Sequence, residues 1–283
     1  MLSVLIPTLN ERANIADCIA SVAWASEVVV IDSGSQDGTV ELAESGGARV
    51  VAFRWNPKLP KKKNWALENV PWKSDWVLIL DADERITPGL AQEIQQELKQ
   101  PRADGYFLSR RFMFMGRWIR HCGYYPSWNL RLFRHRLGRY ECLHNSDTSS
   151  GDNEVHEHVI LEGRTAHLRE DMLHFAYPDI ATWLEKHNRY SSWEARVEVE
   201  GSTASPPGRI GAHLSARRRL REWSRRLPFR PTLRFLYSYV LKQGFLDGRQ
   251  GYIFCRLLAT YEMLSVYKAQ ELRARMRAHP AAK

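Results

Sequence analysis

Four short apolar runs in the first third of the chain, separated by stretches of helical periodicity, restrict this sequence more than any other feature. LSVLI (2–6), EVVVID (27–32), ARVVAF (48–53) and DWVLILDAD (75–83) read as strands, EVVVID being rich in β-branched valine. Between them, NIADCIASVAWA (14–25) sets Ile15, Cys18, Ile19 and Val22 on one helical face. DGTVELAESGG (37–47) reads as a short helix closed by glycines, and KKKNWALENV (61–70) as a third helix. The last run is apolar without alternation, which requires burial on both faces, the condition of a parallel strand covered by helices. The order β-α-β-α-β-α-β therefore predicts a doubly wound, mostly parallel α/β sheet.

Ligands of such sheets bind beyond the carboxyl ends of the strands. Asn10 with Glu11, Asp32, and Asp81 with Asp83 all fall just past strand ends, so polar groups from distant positions are expected to converge on one edge. In ILDADERI (79–86) three carboxylates, Asp81, Asp83 and Glu84, follow a buried run. Crowded like charges repel and cost desolvation energy, so a cation is expected to offset them.

Farther along, TPGLAQEIQQELKQ (87–100) has a threonine cap, proline at the first helical position and apolar residues at Leu90, Ile94 and Leu98. Residues 105–135 are dense in aromatics and arginine and read as strands and a loop over the cleft. ECLHNSDTSSGDNE (141–154) is loop-like, and GSTASPPGRIG (201–211) reads as a connector to a basic helical extension. Residues 1–200 and 201–283 are thus expected as two domains. Nine arginines lie between Arg209 and Arg234, opposed only by Glu222.

The formal charge of +9, from 41 Lys and Arg against 32 Asp and Glu, favours an anionic partner: a nucleotide, nucleic acid or acidic lipid. Cys18, Cys122, Cys142 and Cys255 lie far apart without a CxxC pair, so neither a zinc ribbon nor a disulfide framework is expected, and a reducing cytoplasm is the default. The first apolar run is too short for a signal sequence. YIFCRLLATYEMLSVY (252–267) is interrupted by Arg256 and Glu262 and falls short of the roughly 20 apolar residues a spanning helix needs. Peripheral attachment to an anionic membrane surface, on the cytoplasmic face of an inner membrane, is one reading of the extension. A helical pair packed on the rest of the chain or on a second subunit of an oligomer is the other.

SVLIPTLNE (3–11), VVVIDSGSQDGTVELAESGGARV (28–50), KKKNWALE (61–68) and WVLILDADERI (76–86) together resemble glycosyltransferase family 2, inverting nucleotide-sugar-dependent enzymes with a Rossmann-like GT-A fold. GRWIRHCGYYPSWNLRLFR (116–134), VHEHV (155–159), MLHFAYPD (172–179) and GFLDGRQGY (244–252) resemble more narrowly the branch containing the lipopolysaccharide inner-core β-1,4-glucosyltransferases. The segment from Glu141 to Asn153 is longer than that branch usually has before its VHE.

The resemblance implies a divalent cation, Mg2+ or Mn2+, held by Asp83, with Asp81 facing the ribose or the metal's water shell and His156 completing the ligands; His158 is a weaker candidate. It implies that Asp32 accepts a hydrogen bond from the uracil edge, that Thr8, Asn10 and Glu11 line the nucleotide pocket, and that Lys63 lies near the diphosphate. Taken alone, Asp32 also suits a turn or helix cap, and three consecutive lysines a solvated face. Inversion requires a base for the acceptor hydroxyl. Glu157 is the candidate, but in an extended strand it would point away from His156 and His158. Either that stretch is a loop or the roles divide differently, and Glu84 competes as the base. Trp118, His121, Tyr124, Tyr125, Trp128, Arg131 and Arg134 suit a wall for sugar or acceptor, with some of the rings serving as core.

The expected activity is transfer of a hexose, glucose first among candidates, from a UDP-sugar to a lipid-linked saccharide such as the heptose region of a lipopolysaccharide core. A transferase of the same fold acting on a peptide or another polysaccharide is the alternative. A non-catalytic glycan- or nucleic-acid-binding protein is the remote one, since no nucleic-acid motif is present.

Overall fold

The computed structural model describes residues 1–56, 60–141, 158–200 and 229–278. Within them the chain forms two compact units, one of residues 1–111 and 126–175, the other of 112–125, 176–200 and 229–278. The division is therefore not at residue 200, because the helix before it belongs with the C-terminal helices.

In the first unit β1 (Ser3–Thr8), β2 (Glu27–Asp32), β3 (Arg49–Ala52) and β4 (Trp76–Ile79) are parallel, in the spatial order β3-β2-β1-β4. Side chains alternate across this half-sheet, yet both faces are covered, which is why the sequence shows no alternation. Val4, Ile6, Val30 and Leu78 pack with Ile15 and Ile19 of α1 (Ile15–Ser21), Ala43 of α2 (Thr39–Ser45) and Ile94 of α4 (Pro88–Glu97). Leu5, Val29, Ile31, Val77 and Ile79 pack on the opposite side with Ala66 and Leu67 of α3 (Lys62–Asn69). α4 starts as its sequence predicts: the Thr87 hydroxyl accepts the Leu90 N–H, and Pro88 stands where no amide donor is needed.

The sheet is mixed beyond β4. β8 (Trp128–Arg134) runs antiparallel to β4, followed by β6 (Gly105–Phe114), β11 (Thr165–His174) and β5 (Glu84–Ile86). The doubly wound α/β core is thus present, with its parallel part confined to four strands. β9 (Gly138–Tyr140) and β10 (Val159–Leu161) form a separate antiparallel pair.

The second unit contains the outer end of β6 with β7 (Arg117–Trp118), α5 (Ile180–Glu200), α6 (Arg230–Leu236), a π-helical turn (Tyr237–Leu241), a 3-10 turn (Gly244–Asp247) and α7 (Gly248–Ala278). α5 is bonded to α7 by the Tyr261 hydroxyl on Glu194 and by the Lys268 ammonium on Asn188, Ser191 and Ser192. Arg230 joins Glu198 to Glu262. Among the described residues no helix is long and apolar enough to cross a membrane.

Candidate active site

The site is built where β1, β2 and β4 end. β1 and β2 are in register, so Thr8 lies beside Asp32 and its hydroxyl donates to the Asp32 carboxylate at 3.0 Å. The chain then turns sharply, and the same carboxylate accepts the Gly34 and Ser35 amides at 2.8 Å each and the Ser35 hydroxyl at 2.5 Å. Burial alone would raise the Asp32 carboxyl, but these hydrogen bonds outweigh it and hold the group below the ordinary carboxylate range. Asp32 therefore organises the 33–35 turn as an anion.

The neighbouring loop is stitched to that turn. Asn10, at φ 56°, donates its amide to the Ser35 hydroxyl and accepts the Gln36 amide on its side chain. The Glu11 amide donates to Thr39, and the Glu11 carboxylate accepts from Asn14. Thr8, Asn10, Glu11 and Asp32 thus stand together, as the sequence predicts.

A second cluster forms past β4. The Asp81 carboxylate accepts Lys63 at 2.8 Å on one oxygen and Arg131 at 2.5 Å on the other. Glu84 is fully buried, accepts the Asp81 amide at 2.9 Å, and shares its other oxygen between Arg131 at 2.9 Å and Arg110 at 3.4 Å. Burial works against the charge on Asp81, but Arg131 and Lys63 override it and hold the carboxyl well below its usual range. Burial similarly disfavours the charged Lys63 ammonium, and Asp81 reverses this to raise it.

Two consecutive lysines join the clusters. Lys62, almost wholly buried, donates from Nζ to the Thr8 carbonyl at 3.0 Å, while Lys63 reaches Asp81. The first turn of α3 therefore touches the Asp32 cradle with one side chain and the Asp81 cluster with the next. Adjacent residues diverge on a helix, so two adjacent lysines can serve two strand ends.

Asp83 faces His174, which no sequence motif marks as its partner. β11 runs antiparallel to β5 with His174 opposite Glu84, and the Phe175 amide donates to the Asp83 carbonyl. This brings His174 Nε2 to 3.6 Å from Asp83 Oδ1. The signal available was MLHFAYPD itself, whose histidine follows an apolar pair. Among the described residues no three His, Cys, Asp or Glu side chains assemble into a metal shell. His156 and Glu157, expected as ligand and base, lie outside the described residues. His158 accepts the Glu141 amide on its backbone carbonyl.

Of the seven residues expected as a wall, Trp128, Arg131 and Arg134 belong to the first unit. Arg131 is buried beneath the carboxylates. Arg134 sits opposite Trp76 at the amino end of β4, stacked on that ring at 4.9 Å, because β8 runs antiparallel and three residues carry it about 10 Å from Arg131. Trp128 packs edge-on against His167. Trp118, His121, Tyr124 and Tyr125 belong to the second unit. There Tyr124 packs on Phe112 and Phe254, Trp118 meets Tyr125 at 5.0 Å, and His121 Nδ1 pairs with the buried Asp247 at 2.8 Å.

A parallel half-sheet whose carboxyl rim carries a carboxylate-organised turn and a second, cation-neutralised acidic cluster, continued by antiparallel strands, is the architecture of a GT-A glycosyltransferase. The chain belongs to glycosyl transferase family 2, whose domain matches residues 3–153. It is 30% identical to the lipopolysaccharide core biosynthesis glycosyltransferase LpsC of Rhizobium meliloti (strain 1021), over 97% of this chain and 94% of that protein. It is 27% identical to an uncharacterized glycosyltransferase of Rickettsia bellii (strain RML369-C), over 96% of this chain and 86% of that one. Among solved structures it resembles S. aureus TarS 1–349 in complex with UDP at 16% identity and a TM-score of 0.46, covering 95% of this chain and 91% of the other.

Proposed function

We propose that the protein transfers a hexose, glucose first among candidates, from a UDP-sugar with inversion to a lipid-linked saccharide of the lipopolysaccharide inner-core type. The observation that carries this reading is the bridge made by Lys62 and Lys63 between the Asp32 cradle and the Asp81 cluster. It sets the turn organised by Asp32 beside cations suited to a diphosphate, on one rim of the sheet. The extent of similarity to LpsC supports the acceptor class.

The residues past β4 fit a divalent cation. Asp83 offers carboxylate oxygen and His174 imidazole nitrogen side by side, donor types that suit Mn2+, with Mg2+ favoured by the oxygens alone. Bound there, the metal would neutralise charge on the leaving diphosphate. Asp81 has both oxygens engaged by Lys63 and Arg131, so its role here is to hold those cations at the rim. Glu84 has both oxygens engaged, one by the Asp81 amide and the other by Arg131 and Arg110, and serves as the anchor of Arg131. The base role falls to Glu157.

Incubation with radiolabelled UDP-glucose, Mn2+ and lipopolysaccharide truncated at the heptose region tests the reading. Transfer to the truncated acceptor is expected, falling at least about 100-fold in Asp83→Ala and in Glu157→Gln. Absence of binding or hydrolysis of every UDP-sugar tried, together with indifference to Asp83→Ala, rejects it. Transfer only to a peptide or another polysaccharide replaces the acceptor and keeps the donor.

A further inference from the structure

A helix on the surface of a water-soluble unit turns its apolar stripe inward. The continuous helical segment made by α6 and the π turn does the opposite. Leu233, Leu236, Tyr237, Val240 and Leu241 recur at spacings of three and four and are all exposed, Leu241 to 72% and Val240 to 51%. The inward face carries the buried Ser238, flanked by the half-buried Phe235 and Tyr239, whose rings pack on Tyr252. The 3-10 turn extends the apolar surface, with Phe245 and Leu246 about half exposed and Phe245 lying 6.2 Å from Tyr239.

Within the stretch itself the exposed charges have one sign. Between Phe229 and Tyr261 the only acidic residue is Asp247, which is buried against His121. The exposed ionic groups of the same stretch are Lys242, Arg249 and Arg256, with Arg234 partly exposed beside them. Lys242 lies over the Tyr237 ring at 5.5 Å, its stem along apolar surface and its ammonium at the edge, the arrangement of a side chain that snorkels.

We propose that this face docks on an anionic lipid bilayer, with Leu236, Val240, Leu241 and Phe245 entering the headgroup–acyl boundary and Lys242 and Arg249 contacting lipid phosphates. An apolar stripe with a cationic border is the pattern of a segment lying in the interfacial plane. A second copy of the chain is the poorer occupant, because a two-fold contact would set like charges against each other in a protein of net charge +9. The surface differs from the arginine-rich stretch that first suggested membrane attachment, and the inference does not rest on the transferase reading.

Co-sedimentation of the full chain with phosphatidylcholine vesicles, with and without phosphatidylglycerol, tests it. Binding is expected only to the anionic vesicles and to weaken as NaCl is raised. Leu241→Asp with Phe245→Asp is expected to lower partitioning about tenfold or more, and Lys242→Glu with Arg249→Glu to do so at low salt. Circular dichroism melting and UDP-sugar hydrolysis are measured on each variant. Lost binding with both readouts unchanged supports docking, whether or not hydrolysis is of the expected sugar. If the aspartate pair fails to fold, the charge-reversed pair decides. Failure of the wild type to sediment with anionic vesicles, undiminished binding by the variants, or a dimer that Leu241→Asp dissolves without vesicle binding overturns the proposal.

Discussion

Arg131 carries the electrostatic balance of the acidic rim. It is buried and touches Asp81 and Glu84 at once, and among the described residues the other cation on Glu84 is the more distant Arg110. Arg131→Ala would leave two carboxylates short of a cation and is expected to cost about 3–5 kcal/mol in urea unfolding. Combining it with Glu84→Gln should recover part of that loss, because the buried charge goes with its partner; strict additivity in the double-mutant cycle would reject the coupling. The depressed Asp81 carboxyl fixes the sign of the acid response. Its contribution is full above the ordinary carboxylate value of about 4 and is lost as pH falls toward the lower folded value. Three crowded carboxylates call for a cation, and Arg131 supplies it to Asp81 and Glu84, with Lys63 adding to Asp81. In the sequence Arg131 reads as part of a sugar wall, because a partner 50 residues away along the chain leaves no local trace. His174 escaped for the same reason, since its neighbour Asp83 is brought to it only by the pairing of β11 with β5.

At the scale of elements, GFLDGRQGY is the stretch whose spacing the structure accounts for. The Gly244 carbonyl approaches Gly251 so closely that an added Cβ there would meet it at 2.1 Å, a backbone atom that cannot swing aside. Gly251→Ala is expected to destabilise the second unit by about 3 kcal/mol or more, measured as a fall in melting temperature. A different response is expected from α5. His187 stacks on Trp183 at 3.6 Å and faces the Tyr190 and Tyr261 rings; burial pushes it down to about 4, the bond to the Trp183 carbonyl opposes this, and Lys186 adds to it. A histidine neutral in the fold and free to charge when unfolded withdraws stability as pH falls from about 6.5 to about 4. His187→Gln should therefore flatten the melting temperature across that window, and an unchanged slope would refute the assignment. The four parallel strands were legible because burial on both faces writes itself as unbroken apolar sequence. β5 and β11 were not: one is the three residues Glu84–Ile86, which become a strand by pairing with β11, and the other, with Arg169, Glu170 and Asp171 in its middle, is held between β6 and β5.

For the whole molecule, the convergence of distant acids on one rim followed from strand order alone, since any residue just past a parallel strand must lie at that edge. The division into two units did not follow, because residues 112–125 leave the first unit and return, a path set by packing among Phe112, Tyr124 and Phe254 rather than by a linker. The rim makes a global prediction. A ligand that binds only the folded chain stabilises it by mass action, about 2.7 kcal/mol at a hundred times its dissociation constant, which for a chain of this size raises the melting temperature by about 5 °C or more. UDP with Mn2+ should produce that rise, and UDP or Mn2+ alone much less, because the diphosphate and the cation each complete the other's site. Asp83→Asn keeps the shape and removes the charge, so it should abolish the added effect of Mn2+ and leave the smaller effect of UDP alone, which depends on Asp32 and Lys63. Scanning fluorimetry of the two proteins under the four conditions decides the matter: an Mn2+ increment that survives Asp83→Asn places the cation elsewhere.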